Sequence, residues 1–453
     1  MAVNVPEVHY ARDRDGVSLA YQVVGRGKVD IVYAPPWLSN LELIWENPLF
    51  ARFLTRLASF SRLIVMDSRG TGLSDRFSPA DVPPPEVLME DIAVVMDAAG
   101  VERAVVFGGS NSGSLCALFA ATYPERVSAL IVYGAEARNR VSPDFPWAWT
   151  DQEWDDYLSA LVAGWGSSEY SDQLLAWLTP SLAGDSAQRR WWERLQRLSA
   201  SPNSIAGIER IWREIDIRPI LPTIQVPTLI LHRTGDPVED VDAGRDFARG
   251  VPGARFVELP GDDWPAWAGD QGAVLDEVEA FVAGTQQEAA RLDRVLTTVM
   301  FTDIVGSTAR AAALGDQRWR ELLEAHNLKV RALVSRYRGV ERGTAGDGFL
   351  ATFDGPARAV TCALAVAEAM HAIDLEVRSG VHTGECQISG NDLSGIAVHV
   401  GARVAALAGP GQVLVSSTVR DLVAGSGIEL VEHGRHTLKG VDGEWTLFEA
   451  VGE

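Results

Sequence analysis

The chain has 453 residues, 47% of them hydrophobic, and a formal net charge of −21. That length allows two or three domains, each with a sizeable core. The acidic balance excludes nucleic acid or an anionic membrane as a main partner. Three scattered cysteines, Cys116, Cys362 and Cys386, exclude a disulfide framework or a cysteine-built zinc site.

The segment Met1–Gly16 lacks the apolar core of a signal peptide, and no uninterrupted apolar run is long enough to span a bilayer. A cytoplasmic protein without membrane contact is the expectation. Val17–Val24 and Val29–Ala34 read as paired strands. Leu63–Asp67 is short and continuously apolar, the kind of strand buried in a parallel sheet. A loop, Ser68–Ser74, precedes an amphipathic helix, Glu86–Ala99, with Gly100 as its stop. Ala104–Phe107 then leads through Gly108-Gly109-Ser110-Asn111-Ser112-Gly113 into a helix ending at Tyr123. Ala129–Tyr133 is the next strand. Strands alternating with helices predict a doubly wound α/β domain.

Ser110 stands on a sharp strand-to-helix turn, the setting of a nucleophile elbow. Small neighbours are needed there, because the turn is tight and the nucleophile must stand clear of the sheet. Gly108 supplies the first glycine of G-x-S-x-G, and Ser112 replaces the last. With Tyr123-Pro124-Glu125-Arg126-Val127, this run is similar to the α/β-hydrolase family, over about 1–134 and 219–284. Between them, Arg138–Arg218 holds eight tryptophans: Trp147, Trp149, Trp154, Trp165, Trp177, Trp191, Trp192 and Trp212. The resemblance implies a helical cap over a pocket here. Such rings suit an apolar small-molecule ligand, and equally suit filling the cap's own core.

After the strand Pro227–His232, Asp236 matches the family's triad acid. The catalytic histidine belongs after the strand Arg255–Leu259, where the chain reads Pro260-Gly261-Asp262-Asp263-Trp264, and Trp264 takes the histidine position. Without imidazole, Ser110 lacks its general base. The elbow is therefore expected to be a structural remnant. The segment 285–294 is polar with good helix formers and reads as a short linker, so the hydrolase-like domain is placed at 1–284 with its cap at 138–218.

The stretch Val299-Met300-Phe301-Thr302-Asp303-Ile304-Val305-Gly306-Ser307-Thr308 runs an apolar strand into an Asp, a small-residue turn and a helix. Such a turn can aim N–H groups at phosphates. Forty-four residues beyond Asp303, Asp347 sits between two glycines in Thr344-Ala345-Gly346-Asp347-Gly348. Two strand-edge carboxylates suit divalent ions bridging a triphosphate. The predicted elements continue with a helix at Gln317–Tyr337, strands near Glu341 and at Phe349–Phe353, and a helix at Pro356–His371. A strand at Leu375–His382, a helix at Val398–Leu407, Val413–Val415 and strands within 428–449 complete the chain.

Together with Asp392-Leu393-Ser394-Gly395-Ile396-Ala397-Val398-His399-Val400-Gly401-Ala402-Arg403, these motifs resemble the class III nucleotidyl cyclases over about 295–450. The resemblance implies a ferredoxin-like α+β domain, placed at 295–453. It implies that Asp303, Asp347 and the Ile304 carbonyl bind two Mg²⁺ or Mn²⁺ ions. By the same resemblance Gly306, Ser307 and Thr308 meet phosphates, Asp392 reads the base, Arg403 faces the transition state and Lys439 binds phosphate. The resemblance also implies 3′,5′-cyclic AMP from ATP as the product, made at sites shared across a homodimer.

Two positions depart from the family. Gly343 stands where a base-reading lysine is usual. His399 stands where a ribose-orienting asparagine is usual; as imidazole it can substitute, or be an interface residue without a catalytic role. The domain order resembles the mycobacterial fusions of a hydrolase domain with a cyclase domain. The rival readings are a serine hydrolase with a silent cyclase-like domain, and a binding protein in which neither site turns over.

Overall fold

The computed structural model describes residues 5–78, 82–292, 294–389 and 392–452, without the side chains of 288–292, 345, 389 and 392. It divides into two compact units, Met1–Gln286 and Gln287–Glu453. The division falls inside a helix, Gln271–Leu292, that takes in most of the expected linker. Among the described residues no helix is long and apolar enough to cross a membrane. The three cysteines are buried thiols.

The first unit is built on eight strands: β1 (His9–Arg12), β2 (Ser18–Val24), β3 (Asp30–Ala34), β4 (Arg62–Met66), β5 (Ala104–Gly109), β6 (Val127–Tyr133), β7 (Thr228–Arg233) and β8 (Arg255–Leu259). Their spatial order is β1-β2-β4-β3-β5-β6-β7-β8. From β4 onward every pairing is parallel. Every residue of β5 is buried, as its continuous apolar sequence requires in a sheet covered on both faces.

The expected pairing of β2 with β3 does not form. The strand β4 lies between them, antiparallel to β2 and parallel to β3. The connection explains why. A Cβ at Gly25 would stand 2.4 Å from the Ala58 carbonyl oxygen, and one at Gly27 would stand 2.6 Å from Ser61 Cα. The loop thus passes against the end of the helix Pro48–Phe60 rather than turning back as a hairpin. Over this sheet the cap is helical, at Asp151–Gly164, Ser168–Leu178, Ser186–Ser199 and Pro202–Arg213. A reciprocal box fixes the start of the first: Thr150 Oγ1 accepts from the Glu153 N–H, and Glu153 accepts from the Thr150 N–H.

The second unit continues with β9 (Arg294–Ile304), β10 (Val340–Ala345), β11 (Gly348–Phe353), β12 (Val377–Ser389), β13 (Asp392–Ser394), β14 (Val413–Ser416), β15 (Glu429–Thr437) and β16 (Glu444–Val451). The order is β10-β11-β9-β12-β14-β16-β15, with β13 beside β12. Helices Asp316–Arg336 and Pro356–His371 carry apolar residues into the main core with Met300, Phe349 and Val381. The helix Ile396–Leu407 packs against the sheet through Gly380, where a Cβ would come within 2.1 Å of the Ala405 nitrogen. This is the expected α+β cyclase arrangement, with β12 seven residues longer at its end than the sequence pattern indicates.

Candidate functional sites

In the second unit, β9 is central and pairs with β11 and β12. Register therefore delivers its end group. Asp303 lies opposite Arg378 of β12, and Oδ2 accepts from Arg378 Nη2 at 2.7 Å and Nε at 3.2 Å. Ile304, buried, ends the strand. Gly306 then takes φ +68°, a left-handed turn that glycine adopts freely, and caps the helix Ser307–Leu314. Thr308 is exposed and Ser307 half-buried at the start of that helix.

The hairpin β10–β11 pairs Ala345 with Gly348, leaving Gly346-Asp347 as a two-residue turn. Asp347 Oδ2 is buried with no hydrogen-bond partner. Asp303 and Asp347 both bear electrostatically on His326. His326 is fully buried and T-stacked on Phe349 at 5.9 Å, with Nε2 unpartnered, and burial holds the ring neutral by lowering its pKa. Sequence reading misses His326, a lone histidine on a polar helix, and Arg378, which only strand register reveals.

A cleft of about 450 Å³ is lined by Asp303, Arg378, Phe349, Gly343 and Ala406, among others. A Cβ at Gly343 would meet no atom within 4 Å, so this edge of the cleft is open. His399, Arg403 and Lys439 are exposed and are not part of that wall. Arg403 and Lys439 are brought together, with Arg403 Nε donating to the Lys439 carbonyl at 3.1 Å. Asp392 opens β13 opposite Ser389 of β12, and its side chain lies outside the described residues.

In the first unit, Ser110 has φ +48°, a strained value for a non-glycine residue and the geometry of a nucleophile elbow. Gly108 permits it, since a Cβ there would stand 2.4 Å from the Ser112 carbonyl oxygen. Ser112 fits the last glycine's place by turning its hydroxyl onto the Pro35 carbonyl at 2.8 Å.

The hydroxyl of Ser110 donates to Glu239 Oε1. Sequence reading misses Glu239, yet the signal is local. Asp236 Oδ1 accepts from the Val238 and Glu239 N–H groups at 2.9 and 3.2 Å, folding the chain so that Glu239 faces the serine. Asp236 Oδ2 and Glu239 Oε2 are buried without partners. Burial, reinforced by mutual repulsion with Asp236, pushes the Glu239 carboxyl well above its ordinary range. Burial thus favours the neutral form, and in that form the carboxyl cannot take a proton from serine.

Trp264 is buried in the loop after β8. That loop is pinned by Arg233, which donates to the carbonyls of Asp263 (2.6 Å), Pro265 (3.2 Å) and Ala268 (2.6 Å). His232 is buried and bonds the Glu239 carbonyl through Nε2 at 2.8 Å, so it serves the backbone rather than Ser110.

The family model of the alpha/beta hydrolase fold matches residues 41–270, and that of the adenylate and guanylate cyclase catalytic domain matches residues 288–449. A Rhizobium meliloti (strain 1021) protein named "Putative adenylate cyclase 3" is 34% identical over 134 residues, 28% of this chain and 22% of that protein. The AB hydrolase superfamily protein YisY of Bacillus subtilis (strain 168) is 26% identical over 260 residues, 55% of this chain and 89% of that protein. A hydrolase from Pseudomonas aeruginosa PA01 superposes with a TM-score of 0.52 and 25% identity, covering 62% of this chain and 99% of that one.

Proposed function

Because the chain belongs to the alpha/beta hydrolase fold family through residues 41–270 and carries an adenylate and guanylate cyclase catalytic domain through residues 288–449, we propose that it is a homodimeric adenylyl cyclase whose hydrolase-like domain binds rather than hydrolyses. The reaction is ATP to 3′,5′-cyclic AMP and pyrophosphate. A nucleoside-triphosphate substrate implies work in the cytoplasm.

The observation that supports this reading is Asp347 Oδ2, buried without a hydrogen-bond partner in the β10–β11 turn. An acceptor left so is costly unless a cation completes it. Among the described residues no group of three or more His, Cys, Asp or Glu could hold a metal. Two carboxylates fit magnesium or manganese, which keep water and substrate phosphate as their other ligands. Asp303, Asp347 and the Ile304 carbonyl would hold two such ions, which when bound supply charge neutralisation at the attacking hydroxyl and the leaving pyrophosphate.

The chain's own groups do the rest. N–H groups at Gly306, Ser307 and Thr308 receive phosphate oxygens. Arg403 meets charge developing on the α-phosphoryl group, and its bond to the Lys439 carbonyl ties it to the lysine that holds the terminal phosphate. His399, one helical turn before Arg403, orients the ribose. Asp392 accepts from the adenine amino group. The cleft wall contains Asp303 and Gly343 but not His399, Arg403 or Lys439. This separation supports two half-sites on each chain, joined in a symmetric dimer.

Three outcomes test the reading. Asp303→Ala and Arg403→Ala proteins should each be inactive alone. Mixed with free subunit exchange, half the dimers carry one intact site, giving roughly a quarter of wild-type turnover. No recovery after demonstrated exchange would mean that each site lies within one chain.

At Gly343 the missing lysine removes one hydrogen bond to the base, worth about 0.5–1.5 kcal/mol, or roughly two- to tenfold in discrimination. ATP should therefore be preferred only weakly over CTP, whose amino group Asp392 can also meet. Gly343→Lys, entering open space, should sharpen the ATP/CTP ratio of kcat/KM. GTP turned over faster than ATP would overturn this assignment of the base reader.

Ser110→Ala should leave cyclase activity unchanged, and the wild-type serine should resist a fluorophosphonate probe at neutral pH. Ester turnover that disappears in Ser110→Ala would instead establish a serine hydrolase with Glu239 as its base.

A further inference from the structure

The half-open cavity beside Ser110 has a volume of about 50 Å³ and is walled by six aromatic side chains, Trp37, Trp149, Trp154, Tyr157, Trp177 and Trp264. Only three of the cap's eight tryptophans are among them. Trp191, Trp192 and Trp212 are buried in the main core of the unit, and Trp147 packs on Phe145. The cavity rings are braced edge to face: Trp149 on Tyr157 at 5.3 Å, and Trp37 on Trp264 at 6.4 Å. The indole N–H groups of Trp154 and Trp177 are spent on the carbonyls of Asn139 (2.7 Å) and Pro237 (3.1 Å). These two rings therefore present carbon and π surface rather than donors.

Glu136, Glu209 and Glu239 reach the same cavity, and no lysine, arginine or histidine lines it. Glu209 is 3% and Glu239 5% exposed, and Glu209 Oε1 and Glu239 Oε2 have no hydrogen-bond partner. A wholly apolar occupant would leave those oxygens unsatisfied, and an anion would be repelled.

We propose that this cavity is a binding site for a small organic cation, an alkylammonium head held between the ring faces and the Glu209 and Glu239 carboxylates. The ring quadrupoles and the two carboxylates attract the same charge. Size agrees. At roughly 10–15 Å³ of such space for each water-sized group, the cavity takes about three to five heavy atoms, the bulk of a trimethylammonium group. Burial pushes the Glu209 carboxyl up to about 8 and Glu239 well above its ordinary range, because no positive group stands in the wall; the ammonium would supply the missing counter-charge. The site goes beyond the cyclase reading and does not rest on it, since binding is measured without turnover.

Isothermal titration calorimetry on the full chain at pH 8 decides the matter, with choline as the trimethylammonium probe and 3,3-dimethylbutan-1-ol as its uncharged isostere. Choline should bind at least about tenfold more tightly than the alcohol, a difference of about 1.4 kcal/mol. Glu209→Gln and Glu239→Gln should each weaken choline by a similar factor and leave the alcohol unaffected. Equal affinities, tighter binding of the alcohol, or no binding of choline at millimolar concentration would each overturn the assignment. The two-ligand comparison on the unaltered protein stands even where a variant fails to fold.

Discussion

Among the described residues, each unit holds buried carboxylate oxygens with no well-formed hydrogen bond, though the Trp37 and Trp264 indoles lie near enough to favour the charged forms of Glu209 and Glu239. Asp347 Oδ2 is one; Asp236 Oδ2, Glu209 Oε1 and Glu239 Oε2 are others. Leaving a buried acceptor unpaired costs about 1–3 kcal/mol, and more when it is charged. A fold keeps such groups where a ligand completes them. In the second unit the proposed completing charge is that of divalent ions, and in the first that of an organic ammonium. One constraint thus accounts for both sites, and it explains why neither is finished by its own side chains.

The first unit keeps the skeleton of a hydrolase, with different groups facing its serine. The strained φ of Ser110, the close approach at Gly108 and the parallel strand order are all retained. The change is confined to what faces the serine. An indole stands in the loop where imidazole would be, and that loop is clamped by the three carbonyl bonds of Arg233. The serine hydroxyl is turned onto a glutamate whose neutral form burial favours. The elbow forms part of the wall of the aromatic cavity.

Legibility in the sequence followed the range of the interactions. Strand β5 could be read because a strand covered on both faces is a continuous apolar run. The helix Pro356–His371 could be read to the residue because proline marks its first turn. The turns at Ser110 and Asp347 could be read because each sits beside glycines that a tight turn demands. What escaped depends on register or on fold-back. The insertion of β4 between β2 and β3 turns on how the Gly25–Lys28 loop passes Ala58 and Ser61. Arg378 meets Asp303 only through cross-strand alignment seventy-five residues apart. Glu239 follows Asp236 by three positions, but only the folded turn shows that it faces the serine. The outer half of β12, Thr383–Ser389, lies beyond the strand expected at Leu375–His382, although Glu385-Cys386-Gln387-Ile388-Ser389 alternates polar with apolar.

The central claim is that this chain makes a cyclic nucleotide. Purified full-length protein should be incubated with each nucleoside triphosphate in turn and Mn²⁺, and the products separated by chromatography. The account predicts 3′,5′-cyclic AMP and pyrophosphate from ATP, lost when the metal is chelated. ATP returned unchanged, or cleaved only to ADP and phosphate, would contradict it.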